Sequence, residues 1–145
     1  MTYQLIRNGT LIDGTGAAPV TDAAVLVKDN RIQAVGKANS IRLPDAQTTE
    51  IDAKGGFILP GMIDTHVHIM LEGVNIVRDM MTPFSMRFYN SVKYLKNTID
   101  AGITSVRDAG GADAGTKQAV ESGVILGPRL QISISVLTTT GGHGD

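Results

Sequence analysis

The chain contains no cysteine. Disulfides and thiolate metal sites are therefore excluded, and any metal must be held by histidine and carboxylate. Neither sign of charge is in surplus. A formal net charge of −1 over 145 residues supplies no basic field for nucleic acid or an anionic membrane surface. No stretch approaches the ~20 apolar residues of a membrane span. The opening Met1-Thr-Tyr-Gln-Leu-Ile-Arg7 lacks the charged-then-apolar order of a signal peptide. No nucleic acid and no membrane partner is expected, and the lack of cysteine fits a cytoplasmic protein. Low-complexity tracts are missing as well. Histidine is scarce, with three residues in all, yet two of them share one short window.

That window is Phe57-Ile-Leu-Pro-Gly-Met-Ile-Asp-Thr-His-Val-His-Ile69. It reads as an apolar strand, entered through the Pro60-Gly61 turn and ending in Asp64, His66 and His68. Residues two apart on a strand share a face. Both imidazoles, with Asp64 beneath them, are thus expected on one side, and Thr65, Val67 and Ile69 on the other. Two neutral imidazoles at a strand end form a pair of divalent-metal ligands. The plain alternative is two structural histidines.

The first 56 residues read as β: Tyr3 to Arg7, a hairpin-type turn at Asn8-Gly9, then Leu11-Ile12. Ala24 to Lys28 and Arg31 to Val35 flank Asp29-Asn30 as a tight hairpin, and Thr49 to Asp52 forms a further short strand. From Phe57 strands alternate with helices, the mark of βαβ units. Strand one covers Phe57 to His68, and strand two Ile103 to Arg107. Strand three covers Leu130 to Leu137. A helix from Pro83 to Asp100 places Phe84, Phe88, Val92, Leu95 and Ile99 at three- and four-residue spacing. Gly102 is its expected stop. A short helix covers Thr116 to Glu121. Sites in parallel βα sheets lie at the strand C-termini. His66 and His68 end strand one, Arg107 and Asp108 end strand two, and His143 and Asp145 follow strand three.

Leu59-Pro-Gly-Met-Ile-Asp-Thr-His-Val-His68 resembles the strand-one signature of the amidohydrolase superfamily of metal-dependent hydrolases. Leu5-Ile-Arg-Asn-Gly-Thr-Leu-Ile-Asp-Gly14 is similar to the opening strand of these enzymes, and Ala24 to Gly36 to their next hairpin. The resemblance covers essentially the whole chain. It implies an α/β fold: a (β/α)8 TIM barrel, of which the first three strands are present, preceded by part of a small β-sandwich domain. The expected division is 1–56 for the sandwich part and 57–145 for the first third of the barrel. Such a barrel needs about 250 residues, so the chain is expected to be the N-terminal piece of a longer enzyme. The remainder of that enzyme would complete the barrel, and a homo-oligomer is expected.

By the same resemblance His66 and His68 bind the more buried of one or two divalent ions, Zn2+ being expected. The remaining ligands and the catalytic base would lie beyond residue 145, so no catalytic residue is assigned within the chain. Asp64 either hydrogen-bonds a ligand imidazole or closes a backbone or arginine contact under the site. Asp108 shares parity with Thr104 and Val106. It either faces the barrel interior near the metals or forms a buried ion pair. Gly141-Gly-His-Gly-Asp145 resembles a motif of the prolidase-like and Xaa-Arg carboxypeptidase-like branch, in which His143 reaches toward substrate; otherwise it sees only solvent.

The activity so implied is hydrolysis of an amide bond in dipeptides or N-acyl amino acids through a metal-activated water. Imidazolonepropionase-like opening of a cyclic amide, or deamination, is the alternative. A metal-free, non-catalytic relative is a further one, against which the intact His66-x-His68 pair argues.

Overall fold

The computed structural model describes residues 1–73, 75–142 and 144. The chain divides into two compact units, Met1–Pro60 and Gly61–Asp145.

The first unit is one sheet of five strands: β1 (Tyr3–Leu11), β2 (Val20–Lys28), β3 (Arg31–Lys37), β4 (Thr48–Asp52) and β5 (Phe57–Ile58). Their order is β3-β2-β1-β4, and β5 pairs in parallel with the end of β1. The hairpin at Asp29-Asn30 forms as expected, with Lys28 opposite Arg31. Ala23 and Val25 pack with Leu11 and Ile58, whereas Ala24 and Leu26 pack with Leu5. Both faces of β2 are thus covered, which accounts for its unbroken apolar run.

Asn8-Gly9 is not a turn. The strand continues through it to Leu11, with Asn8 at φ 59° and a register shift against β2 between Ile6 and Gly9. A positive-φ residue inside a strand makes a bulge as readily as a hairpin. Here a Cβ on Gly9 would lie 2.9 Å from side-chain carbons of both Ala53 and Ile58.

The strand expected from Phe57 to His68 is two strands. Phe57–Ile58 belongs to the first sheet, and β6 (Met62–Val67) opens the second unit. Pro60 has no N–H to continue a ladder. Gly61 then passes so close to Thr104 that a Cβ would fall 2.2–2.8 Å from its side-chain atoms. The structural break therefore follows Pro60 rather than residue 56.

The second unit contains α1 (Ile76–Met81), α2 (Phe84–Asp100), β7 (Ile103–Asp108), α3 (Ala114–Glu121) and β8 (Arg129–Ile132). The strands β6, β7 and β8 form a parallel sheet in chain order, the opening of a (β/α)8 barrel. Helix α1 was not expected. Its N-cap is Asn75, whose side chain accepts from the Arg78 N–H at 3.0 Å.

Helix α2 ends at Gly102 as expected, with φ 84° and its N–H donating to the Ile99 carbonyl at 3.0 Å. Its buried face is narrower than the spacing suggested. Ser91 and Leu95 are buried and Phe88 packs beside them, whereas Phe84 and Val92 are exposed. Ser91 reaches the core because its hydroxyl donates to the Phe88 carbonyl at 2.7 Å, which satisfies it within the helix.

Strand β8 stops at Ile132, five residues short of Leu137. Ile134 sits at φ 68°, and its carbonyl accepts from the Gly111 N–H at 3.0 Å. The chain there turns over the loop after β7 instead of extending the ladder.

Helix α3 begins two residues before the expected Thr116 because Asp113 caps it. The Asp113 carboxylate accepts from the Thr116 N–H at 2.7 Å and from its hydroxyl at 2.8 Å. The Thr116 N–H, then its hydroxyl, hold the Asp113 carboxyl below its ordinary range. Asp113→Ala is expected to cost about 1 kcal/mol of stability, read as a lowered unfolding midpoint at neutral pH. A depressed carboxylate stabilises above its unfolded pKa, and that contribution is lost as pH falls through the folded value. The gap between parent and variant should accordingly close in acid. A gap independent of pH would show that the charge on the cap contributes nothing.

Candidate metal site at the strand ends

The C-terminal ends of β6, β7 and β8 border a cleft of about 670 Å³. His66 and His68 line it from the first strand, Arg107 and Asp108 from the second, and Gln131, Ile132 and Ser133 from the third. Leu71, Val136 and Leu137 supply apolar wall.

The two imidazoles meet as expected, with ring centroids 5.2 Å apart and planes at 77°. Two rings that share one ion at the usual metal–nitrogen distance and a tetrahedral angle have centroids about 5.3 Å apart. The separation fits a common ion. His68 also has a fixed tautomer. Its Nδ1 lies 2.8 Å from the Gly110 carbonyl oxygen, which can only accept, so Nδ1 carries the proton and Nε2 presents a lone pair to the cleft. A ligand histidine held through its other ring nitrogen by a backbone carbonyl is the usual arrangement in metal sites. The donor set therefore fits a divalent ion. Among the described residues, no third His, Asp or Glu joins the pair in a cluster able to hold a metal.

Asp64 does not lie under the imidazoles in a common row. It pairs with Val106 of β7, and Val67 pairs with Asp108, so three steps on β6 match two on β7. This extra residue slips the alternation between Asp64 and the histidines. Asp64 is not among the cleft-lining residues. Its Oδ1 accepts from the His66 backbone N–H at 3.1 Å, so it acts on the main chain rather than on an imidazole.

Asp108 shares a side with Val106, whose side chain packs in one cluster with Leu95 of α2, and it also borders the cleft beside the imidazoles. Among the described residues it makes no ion pair. Its side chain is 0 % exposed, and its partners are main-chain groups. The Ile69 N–H donates to Oδ2 at 2.7 Å, and those of Gly110 and Ala112 donate to Oδ1 at 2.9 and 3.2 Å. Hydrogen bonds to a charged group are worth about 1.5–3 kcal/mol each, which is how a fully buried carboxylate is tolerated.

Arg107 lines the cleft, and its Nε donates to the Thr65 carbonyl at 2.7 Å. It is the one arginine or lysine that lines the cleft among the described residues. His143, expected to touch substrate, lies outside the described residues, as does Asp145. Sequence reasoning missed Gly110, whose carbonyl orients His68. The available sign was the Gly110-Gly111 pair directly after a carboxylate and an alanine, a place where backbone can adopt positive φ and approach other groups closely.

Residues 57–145 match the family model described as the amidohydrolase family. A solved prolidase complexed with N-methylphosphonate-L-proline is 35 % identical, with a TM-score of 0.85 over 99 % of this chain and 35 % of that one. Ochratoxinase of Aspergillus niger is 28 % identical over 97 % of this chain and 30 % of its own length. Imidazolonepropionase of Mycolicibacterium smegmatis is 29 % identical over 97 % of this chain and 32 % of its own. The chain spans about a third of the length of the relatives it matches.

Proposed function

Since the chain belongs to the amidohydrolase family, we propose that it supplies the first two metal ligands of a hydrolase that cleaves an amide bond in dipeptides or N-acyl amino acids. The observation that carries this is the His66–His68 pair, 5.2 Å apart, with Nε2 of His68 freed by the Gly110 carbonyl. His66 and His68 would hold a divalent ion, zinc being one of those that a pair of imidazoles suits. Such an ion, when bound, acidifies water toward neutrality and polarises a carbonyl.

The chain's own part is to orient and to select. Gly110 and the strand β6 backbone hold the imidazoles. The apolar wall of Leu71, Val136 and Leu137 suits a substrate side chain. Arg107 offers a cation for a substrate carboxylate. The likeness to a prolidase solved with a proline derivative supports a dipeptide substrate. The likeness to an imidazolonepropionase supports the second reading, opening of a cyclic amide.

The test is a panel of dipeptides, N-acyl amino acids and a cyclic imidazolone, given to the whole protein that carries this chain, with bound metal measured in parallel. Hydrolysis of the open amides supports the proposal. Turnover of the ring substrate alone moves the reading to the second. Absence of bound metal rejects both.

We assign His143 to substrate binding, on the glycine-flanked motif around it and on the position of its neighbour Gly144 at the cleft wall. His143→Ala should leave metal in place and lower kcat/KM about 10- to 150-fold, the loss of one charge-assisted hydrogen bond. Unchanged kinetics on every hydrolysed substrate would reduce it to a loop residue. Loss of metal would make it a ligand instead.

A further inference from the structure

We propose that Asp108 is a positioning residue for His68, acting through the Gly110 peptide rather than by touching the imidazole. The inference rests on His68 being a metal ligand. Its basis is a closed set of hydrogen bonds. Asp108 Oδ2 accepts from the N–H of Ile69, the residue after His68, at 2.7 Å. Asp108 Oδ1 accepts from the N–H of Gly110, the residue whose carbonyl receives the His68 Nδ1 proton, at 2.9 Å. One buried carboxylate therefore grips the chain on both sides of the His68–Gly110 bond. The Ala112 N–H adds a third grip at 3.2 Å.

The loop needs this. Gly110 and Gly111 both have positive φ, 146° and 116°, and two adjacent glycines have little conformational preference of their own. The Ala109 and Gly111 N–H groups are held by the Val67 and Ile134 carbonyls, and Asp108 holds the Gly110 N–H between them, so its loss loosens the one peptide whose carbonyl fixes the His68 proton on Nδ1. A neutral imidazole free to exchange tautomers presents Nε2 to a metal for only part of the time. Loss of such an outer partner lowers metal affinity by about 10- to 100-fold in other sites.

The experiment compares the parent and Asp108→Asn in the whole protein, with 15N-labelled histidine and His68 assigned by its disappearance in His68→Gln. In the metal-free parent, His68 should show a single tautomer protonated at Nδ1. In Asp108→Asn that signature should give way to a mixture, and the dissociation constant for Zn2+ should rise about 10- to 100-fold. An unaltered tautomer with unaltered Zn2+ affinity in the variant overturns the proposal. If Asp108→Asn does not fold, the parent decides. Slow amide exchange at Gly110 and Ala112 with Nδ1 protonation supports the clamp, and rapid exchange there or protonation at Nε2 overturns it. Failure of the ligand reading is separately visible, because His68→Ala would then keep its metal.

Discussion

His68→Ala is expected to strip divalent metal from the whole protein, and His66→Ala to do the same. A ligand is lost in each case rather than an outer partner. The fall in affinity should therefore exceed the roughly 10- to 100-fold cost of removing an outer hydrogen bond. The two variants should differ in stability. His66 is exposed, so its truncation removes little packing, whereas His68 is half-buried and tied to Gly110 at 2.8 Å. Removing it leaves the Gly110 carbonyl without that donor. Metal analysis after dialysis against a weak chelator, together with thermal unfolding of both variants, gives the comparison. Full metal occupancy in both would sink the assignment of the pair as ligands. Loss in one alone would leave a single ligand on this strand.

Gly110→Ala should be more damaging than replacement of a positive-φ glycine whose Cβ would meet nothing. A Cβ there would lie 2.6 Å from Val136 Cγ2 and 2.9 Å from the Val136 backbone nitrogen, at φ 146°. The backbone nitrogen cannot swing away as a side chain can. Backbone strain and overpacking each cost about 1–3 kcal/mol, so a loss on the order of 3 kcal/mol is expected. Gly123 is the control, with φ 75° and nothing within 4 Å of its Cβ position. Gly123→Ala suffers the backbone term alone, about 1–2 kcal/mol. Metal affinity should fall with Gly110→Ala, whose carbonyl must move, and hold with Gly123→Ala. Equal unfolding midpoints for the two would show that the close approach to Val136 costs nothing.

Much of this was legible in sequence because it is local. The alternation of strands and helices after Phe57, the stop at Gly102 and the His-x-His pair each depend on neighbours a few residues away. What was misread depends on distance. Asn8-Gly9 has the composition of a hairpin turn, and only its packing against Ala53 and Ile58 makes it a bulge. The extra residue on β6 is defined against β7, so a period of two could not reveal it. Asp108 looked like half of an ion pair, yet its partners are backbone N–H groups, one of them 39 residues away. Backbone donors carry no residue identity, so composition gives no hint of them.

The slip on β6 also bears on how spaced motifs work. A pair of side chains two apart keeps a common direction only while the strand keeps its phase. Asp64 and His66 share the spacing of His66 and His68, yet only the latter two open into the cleft. The dropped beat falls between Asp64 and Val67, so the strand is re-timed within the stretch that carries His66. Insertion or loss of one residue between His66 and His68 would turn one imidazole away, which makes the single residue Val67 the least forgiving spacer in the motif.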